Sequence, residues 1–521
     1  MAKATKSTTA TPTAATPEEM AGIDPAVFHR RYAILATMCL SLVLIVATVS
    51  SVNVAIPKLA QSSLNPSDTQ ILWIVDAYAL VFAAFLLPAG ALGDKFGRKG
   101  ALLIGLTIFA VFSALCSQMT DANALIACRA AMGIGAALIM PSTLSLLQSA
   151  FPPAERPKAI AIWSGFAGAG GAIGPLLGGF LLEHFWFGSV FFVAAPLALI
   201  AFTASAILAP KSKEDSATSL DPVGAVLSIV GFAALLMAII EGPERGWTDG
   251  LVLIGFVLAV FGLVGFVLWE RRTTDPMLNM EYFRIPRFAM GSLGITFTFM
   301  SMFSMFFVLT QYLQYVKGYG ALASGVRGLP FAAAMIIVSP RAPMIAAKLG
   351  IRRAVGAGMG LLVLGIVMLS FAGVDTPYAY VALCLVIMAT GVGFATPSLS
   401  SGIVQSVPMN KAGVGSAVND TTREVGGAIG IALVGTIVTS IYRDRLEPAL
   451  RLLPPELADI AGDNVGKAIA VAAQLGDQAQ PFADAVKQSF VDGSHVALRV
   501  AAALTAVAAV AVVAGLRSSD S

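Results

Sequence analysis

The sequence predicts an all-α membrane protein with fourteen transmembrane helices, arranged as two pseudo-symmetric six-helix halves with a two-helix linker inserted between them. Composition is the first indication, because 57% of the 521 residues are hydrophobic and only 12% are charged. Soluble domains carry about 25% charged residues, so this chain requires a bilayer as its solvent. The number of long apolar stretches and the distribution of Lys and Arg between them are the second and third indications.

Fourteen apolar stretches are long enough to span a bilayer, since a helix needs about 20 apolar residues to cross the hydrocarbon layer. The tenth stretch contains three prolines, which membrane helices tolerate where neighbouring groups bond the freed carbonyls. The predicted spans are 33–56, 70–92, 101–119, 123–147, 158–181, 187–209, 223–241, 250–270, 289–312, 324–342, 352–373, 378–400, 412–441 and 496–515.

Loop charge predicts the orientation. With the N-terminus in the cytoplasm, the inner segments hold 21 Lys and Arg residues, whereas the short outer loops hold 4. Cytoplasmic loops are the ones enriched in cations, so both termini are expected in the cytoplasm. Five more cations lie in the long outer segment before the last span, and such long segments contribute little to orientation.

The same pattern divides the chain into five parts. Residues 1–30 are rich in Ala, Thr and Pro and are predicted to form a disordered cytoplasmic tail. Residues 31–210 form the N-terminal half, and 211–287 form the two-helix linker with its flanking loops. Residues 288–515 form the C-terminal half, including an extracellular segment at 442–495 with amphipathic stretches near 455–475 and 480–492. Residues 516–521 form a second cytoplasmic tail.

Several functional classes are disfavoured by composition. The net charge of +3 and the lack of a basic run with interleaved aromatic residues argue against nucleic-acid binding. The four cysteines lie in apolar stretches and form neither a metal pattern nor a disulfide framework. The three histidines are far apart in sequence, which argues against an enzyme, and no Walker loop is present to use ATP. We therefore expect no metal and no cofactor, with a proton gradient as the energy source.

A polar turn between the second and third spans is predicted to act as a conformational latch. Its cations belong on the cytoplasmic side, and its glycines allow a tight reversal of the backbone. Its aspartate lies where the positive N-terminus of the next helix would attract it. A weaker copy at 343–353 keeps the Lys, Gly and Arg pattern but has Ala347 in place of the aspartate. The latch residues are Gly90, Asp94, Lys95, Gly97, Arg98 and Lys99.

Four ionisable residues inside spans are candidates for coupling protons to substrate. Arg129 lies in the fourth span, where it either tunes a nearby acid or extends to the membrane interface. Asp76, in the second span, either handles protons or anchors the interface beside aromatic residues. Asp420 and Glu424 are four residues apart on one face of the thirteenth span, and they form either a functional cluster or a structural ion pair with Arg423. Low dielectric disfavours the charged form of such carboxyl groups.

The fifth span carries glycines at every fourth position, which makes one helix face bare and lets a neighbouring helix approach closely. Pro175 within this stretch kinks the helix or frees a carbonyl. Tight packing and a role in the transport cycle are both compatible with the pattern. The residues of this segment are Gly170, Gly174, Pro175, Gly178 and Gly179.

The latch string, the Arg129 segment and the glycine-rich string together resemble the fourteen-helix drug:proton antiporter branch of the major facilitator superfamily, over about residues 30–515. The glycine-rich string is similar to the branch's antiporter motif, and the segment at 73–78 is similar to the second-helix string of bacterial multidrug and quaternary-ammonium exporters. One departure is that Thr48 stands where the branch usually has a first-span acid. That change shifts the expected coupling to Asp76, Asp420 and Glu424.

The resemblance implies a monomeric, multi-pass protein of the bacterial cytoplasmic membrane that exchanges protons for lipophilic, cationic drugs or toxic compounds. Its expected partners are the lipid bilayer, protons and a small lipophilic substrate. An exporter of an endogenous metabolite, a lipid or a self-made antibiotic is the alternative with the same fold. A non-transporting sensor on this scaffold is a further alternative.

Overall fold

The computed structural model describes residues 23–60, 62, 64, 66–211, 221–475 and 479–516. This part of the chain is helical and contains no strand. Fourteen of its helices are long and apolar enough to cross a membrane, which confirms the predicted fold class.

We number these membrane helices α1 to α14. Their bounds are α1 Arg31–Ala60, α2 Asp68–Phe96, α3 Arg98–Cys116, α4 Ala122–Ala150, α5 Arg156–His184, α6 Ala194–Leu208, α7 Pro222–Arg245, α8 Gly250–Glu270, α9 Pro286–Gln311, α10 Ala321–Val338, α11 Ile351–Leu369, α12 Tyr378–Gln405, α13 Ala412–Leu450 and α14 Ala479–Gly515.

Short helices extend or connect these elements. Ser189–Phe192 precedes α6, a π-helical turn Tyr312–Val316 ends α9, and Ser339–Arg341 followed by Ala342–Leu349 continues α10. The remaining short helices are Pro25–His29, Met280–Arg284, Met409–Lys411, Pro455–Asp463 and Val465–Ala472.

The segment at 442–495 was predicted to be separate from the spans on either side of it. Part of it continues the helices of those two spans. Helix α13 continues to Leu450 and α14 begins at Ala479, so both spans project beyond the predicted membrane boundaries as unbroken helices. The amphipathic stretch at 480–492 is therefore the first part of α14. The segment has its own apolar contacts, and the Tyr442 hydroxyl donates to the Ala461 carbonyl at 2.9 Å. Burial of these apolar side chains explains why the helices persist outside the membrane.

The last residues of the tail that was predicted to be disordered, 1–30, form a helix in the structure. Residues 1–22 lie outside the described part of the chain. A short helix runs over Pro25–His29, with the Asp24 side chain accepting from the Ala26 amide and Val27 and Phe28 buried. A capping aspartate followed by proline favours helix initiation, and the two buried side chains hold the turn against the bundle. Of the predicted C-terminal tail, 517–521 also lie outside the described residues.

Helix neighbours repeat between the two halves, which supports their pseudo-symmetry. In the first half α1 packs on α5, and α3 packs on α4 and α6. In the second half α9 packs on α13, and α11 packs on α12 and α14. The turns repeat as well, because Gly97 has φ of 104° and Gly350 has φ of 83°, a conformation that favours glycine.

The two halves meet along two helix pairs that the same symmetry relates, α2 with α13 and α5 with α10. Helix α4 also contacts α13 across this interface. The linker helices α7 and α8 pack on each other, and α7 additionally lies against both α2 and α13. The linker therefore contacts both halves at the place where they meet.

Candidate functional site

Asp94 joins the two halves at the end of α2. Its side chain is 2% exposed. Its carboxylate accepts hydrogen bonds from the Gly413 amide at 2.8 Å and the Val414 amide at 3.0 Å. These amides begin α13, and Lys411 at the N-cap position supplies no side-chain cap of its own. Asp94 thus caps a helix of the opposite half, where both the free amides and the helix dipole favour an anion. The prediction that it interacts with the N-terminus of the next helix, α3, is wrong, because α3 begins after Gly97 without a side-chain cap.

Arg98 completes this contact. Its Nε donates to Asp94 Oδ1 at 3.0 Å, and its guanidinium also donates to the Met409 carbonyl in the segment that precedes α13. Both side chains are almost fully buried. The ion pair therefore holds both sides of the interface, as expected for a latch in a closed cytoplasmic state.

Among the described residues, the other two cations of the predicted latch, Lys95 and Lys99, form no hydrogen bond or ion pair with the second half. Lys99 donates to the Ala206 and Ala209 carbonyls at 2.7 and 2.9 Å, which ties α3 to the end of α6 within one half. In the symmetry-related turn, Arg352 donates to the Val513 carbonyl of α14 at 3.1 Å. Lys95 lies over the ring of Phe96. The structure thus assigns the contact between halves to Asp94 and Arg98.

Close backbone approach reinforces the latch. A Cβ atom on Gly90 would lie 2.5 Å from the Gly413 carbonyl oxygen, and one on Gly413 would lie 2.5 Å from the Gly90 oxygen. Side chains at either position would force α2 and α13 apart. By contrast, a Cβ atom on Gly93, one turn further along α2, would meet nothing nearer than 3.7 Å.

Arg129 is fully buried rather than extended to the interface. Its Nε donates to the Ile74 carbonyl at 2.9 Å, and another guanidinium nitrogen donates to the Val75 carbonyl at 3.3 Å. The guanidinium carbon lies 4.5 Å from the ring centroid of Tyr78. Arg129 is also in electrostatic contact with Asp76. Helix α4 therefore holds a buried cation against the outer part of α2.

Tyr78 links this arginine to the opposite half. The side chain is fully buried, and its phenol is in electrostatic range of both Arg129 and the Glu424 carboxylate of α13. The hydroxyl has no hydrogen-bond partner among the described residues. Burial of Tyr78 argues against the alternative in which Asp76 anchors the membrane interface beside this aromatic ring.

On α13, Asp420 and Glu424 flank Arg423 as the sequence predicts. Asp420 and Arg423 are buried, with 3.6 Å between Oδ1 and the nearest guanidinium nitrogen, and Glu424 is half-buried. The Asn419 amide donates to the same Asp420 oxygen at 3.1 Å. Asp420 Oδ2 and Arg423 Nε have no hydrogen-bond partner among the described residues. The pair is therefore incompletely satisfied, which is costly for buried charges.

Aromatic rings surround the Arg423 guanidinium. Its carbon lies 4.4 Å from the ring centroid of Phe299 on α9 and 5.4 Å from that of Trp163 on α5. The Trp163 indole donates to the Thr143 hydroxyl of α4 at 3.2 Å, which fixes the ring. We call Trp163, Phe299 and Asp420 the central cage. Its rings come from opposite halves of the protein.

The predicted coupling residues lie on helices that meet where the two halves touch. Asp76 and Arg129 lie on α2 and α4 of the first half, and both helices pack against α13, which carries Asp420 and Glu424. The Tyr78 phenol of α2 is in electrostatic range of Glu424. Thr48, which replaces the usual first-span acid, donates to the Leu44 carbonyl of its own helix at 2.7 Å and adds no charge.

The glycine-rich stretch of α5 contacts two helices. A Cβ atom on Gly174 would lie 2.0 Å from Ser50 Oγ of α1, and those on Gly170 and Gly178 would also crowd α1. Gly179 instead faces the backbone of Leu322 on α10, and the backbone around Pro175 lies against Gly325 of α10. The stretch therefore packs inside its own half on one face and against the second half on the other.

Sequence reasoning missed Tyr78, Trp163 and Asn419 as members of the site. Tyr78 lies on the same helix as Asp76, and Asn419 lies on the same helix as Asp420. Trp163 lies on α5, and its ring faces Arg423 of α13. Their burial depends on how helices from different halves face one another, and sequence periodicity within one helix does not contain that information. A polar or amphipathic aromatic residue in the middle of a span, as Trp163 is, was the available signal.

Comparison with known proteins places this arrangement in a family. The sequence profile described as Major Facilitator Superfamily matches residues 38–431. The chain belongs to the major facilitator superfamily. Members of this superfamily are transporters, and the fourteen apolar helices make this one a multi-pass membrane protein.

Relatives within the superfamily are drug exporters by name. The multidrug efflux pump LfrA of Mycolicibacterium smegmatis is 34% identical over 93% of this chain and 96% of its own length. The tetracenomycin C resistance and export protein of Streptomyces glaucescens is 32% identical over 90% of this chain and 88% of its own. A crystal structure of a bacterial homologue of the lysosomal transporter Spinster, inward-facing and occupied, matches with a TM-score of 0.56 at 19% identity over 94% and 97% of the two chains, and it supports the fold.

Proposed function

We propose that this protein exports lipophilic, cationic drugs or toxic compounds across the bacterial cytoplasmic membrane in exchange for protons. The observation that carries the proposal is the buried charged cluster where the halves meet, with Asp420 and Glu424 flanking Arg423 and the Arg423 guanidinium lying over Trp163 of the first half. Buried ionisable groups at the interface of two related halves are expected where a transporter binds substrate and coupling ions. The two named relatives support drug export.

In this mechanism protons and drug compete for the same carboxyl groups. Protonation from the outer side neutralises Asp420 or Glu424 and releases a bound cation, whereas loss of the proton to the cytoplasm restores the charge that attracts the next cation. Asp76 is the corresponding candidate in the first half. The proton gradient supplies the energy, and no cofactor takes part.

The Asp94–Arg98 latch sets which side is open. Rocking of the halves toward the cytoplasm breaks the bonds from Asp94 to the α13 amides, so the latch stabilises the cytoplasm-closed state. The protein works as a monomer with both termini in the cytoplasm, an orientation that the loop charges favour.

Gradient-driven uptake of ethidium into inverted membrane vesicles tests the proposal. We expect an imposed pH gradient to drive uptake by the wild-type protein, and Asp420→Asn and Asp76→Asn to reduce it. Lys158→Gln, which removes an exposed charge at the start of α5, is the control. If both carboxyl variants keep full gradient-coupled flux, the site assignment fails, and if the wild-type protein shows no gradient-driven flux, the proposed function fails.

Export of a self-made antibiotic is the second candidate, and the tetracenomycin C relative is the observation that favours it. A narrow exporter would transport one antibiotic and leave ethidium in the cell. Retention of ethidium, compared with that of a panel of native metabolites in cells with and without the protein, separates the two candidates.

A further inference from the structure

Arg423 is a charged side chain inside a site that is built to hold a cation. The guanidinium has one aromatic ring from each half within 6 Å and a carboxylate beside it. Ring faces and a carboxylate together form the environment that organic cations prefer. Its contacts are therefore those that a positively charged substrate would make.

The Arg423 guanidinium is incompletely hydrogen-bonded. The distance of 3.6 Å to Asp420 is long for a hydrogen bond, and Arg423 Nε and Asp420 Oδ2 have no partner among the described residues. Arginine normally binds a carboxylate through two parallel hydrogen bonds when the geometry allows it. The side chain is thus retained by the rings and by charge, and its displacement would break no well-formed hydrogen bond.

We propose that Arg423 is a built-in competitor that occupies the central cage until a cationic substrate displaces it. This inference rests on the proposed function, because it names where the cation binds and what it displaces. A monovalent organic cation replaces one positive charge by another, so the cage remains electrically balanced when the substrate enters. Neutral molecules cannot make this exchange and gain nothing from the removal of Arg423.

Arg327 provides a matched control for Arg423. Its guanidinium carbon lies 3.6 Å from the Tyr319 ring centroid and 5.4 Å from that of Tyr378, so it is also held by two aromatic faces. No carboxylate forms a salt bridge with it among the described residues. Both its rings come from the second half, in contrast to the central cage.

The test is ethidium binding to purified protein in detergent, without any gradient. Arg423→Gln removes the charge and keeps a donor for Asp420, so we expect ethidium affinity to rise by about thirtyfold, the scale of a desolvated cation–π contact. Arg423→Lys keeps the charge, and Arg327→Gln removes a ring-bound charge elsewhere, so both should bind ethidium as the wild type does. Binding of the neutral dye Nile red should not change.

An affinity gain that is missing in Arg423→Gln, or that Arg327→Gln shows equally, overturns the inference. Arg423→Met, which also removes the charge, takes the place of Arg423→Gln if that variant does not fold, as judged by its melting temperature. The binding result is independent of transport. Absence of gradient-driven flux in the wild-type protein would contradict the proposed function, whereas an unchanged affinity in Arg423→Gln would contradict only the role of Arg423.

Discussion

Arg129 and Arg423 are both buried cations, but their surroundings assign them different roles. Arg129 donates to two carbonyls of α2 and stacks on Tyr78, so its position is fixed by backbone groups. Arg423 has ring faces and one distant carboxylate. A buried charge held by backbone groups is expected to stay in place during the cycle, whereas one held by rings can be exchanged.

Removal of the Asp94 side chain should open the cytoplasmic side. Asp94→Ala loses the cap on α13 and the ion pair with Arg98, and loss of a capping side chain costs about 1 kcal/mol or more, which is about fivefold or more in population. Spin labels at the exposed positions 158 and 348, on opposite halves, should then report a larger share of long distances. Lys95→Ala, which removes a neighbouring charge, is the control, and an identical distance distribution in both variants would contradict the latch.

Substitution of Tyr78 tests the connection between the halves. Tyr78→Phe keeps the ring beneath Arg129 and removes a hydroxyl that has no partner among the described residues, so the melting temperature should hardly change. We expect gradient-driven flux to fall by about tenfold, the scale of one hydrogen bond to a charged group, because the hydroxyl is free to form such a bond with Glu424 when the halves move. Tyr442→Phe gives the opposite control, because it loses a hydrogen bond in the outer segment and should lower stability while flux persists. Normal flux in Tyr78→Phe would remove this residue from the mechanism.

At this scale, the sequence identified candidate charges because charged residues in apolar spans are rare and costly. It could not predict their partners. The division of the latch cations is an example, since Lys99 and Arg98 are adjacent in sequence but bond to different halves. The direction of each side chain around the turn after Gly97 decided that outcome.

Helix contacts in the two halves depend on glycine where backbones touch. The α2–α13 contact at Gly90 and Gly413 and the α1–α5 contact at Gly174 leave no room for a side chain. The bare face of α5 was predictable from its four-residue spacing. The partner of Gly90 was not, because α13 lies more than 300 residues further along the chain.

The first of these contacts should control closure. Gly90→Ala places a methyl group against the Gly413 carbonyl, and such overpacking costs about 1–3 kcal/mol. We expect the spin-label distances on the cytoplasmic side to lengthen and ethidium transport to fall. Gly93→Ala adds the same group one turn away, where there is space, and should behave as the wild type does. Equal effects at both positions would show that the close approach of α2 and α13 at Gly90 does not control closure.

The second contact should seal the first half. Gly174→Ala would bring a methyl group into Ser50 Oγ and the Ala47 carbonyl, so we expect a lower melting temperature and faster passive proton entry into liposomes. Gly171→Ala, on the same helix, meets nothing nearer than 3.9 Å and serves as the control. Unchanged stability and proton leak in Gly174→Ala would refute a role for this face in sealing.

The whole molecule combines two repeats that have diverged at the places where function is expected. The repeated turn has Asp94 in one half and Ala347 in the other, so only the first repeat provides the acid that caps a helix of its partner. The linker helix α7 lies against α2 and α13, the pair that carries this latch. The sequence predicted the number of spans, and the length of α13 and α14 was underestimated because their outer ends are amphipathic and packed within the protein.

The central claim is that a proton and a cationic substrate exchange at the carboxyl groups of α13. Proton release on addition of ethidium to purified protein in weakly buffered detergent solution tests it most directly. The account predicts that wild-type protein releases protons as the dye binds and that Asp420→Asn combined with Glu424→Gln does not. Dye binding without proton release in the wild-type protein, or equal release from the double variant, would contradict the account.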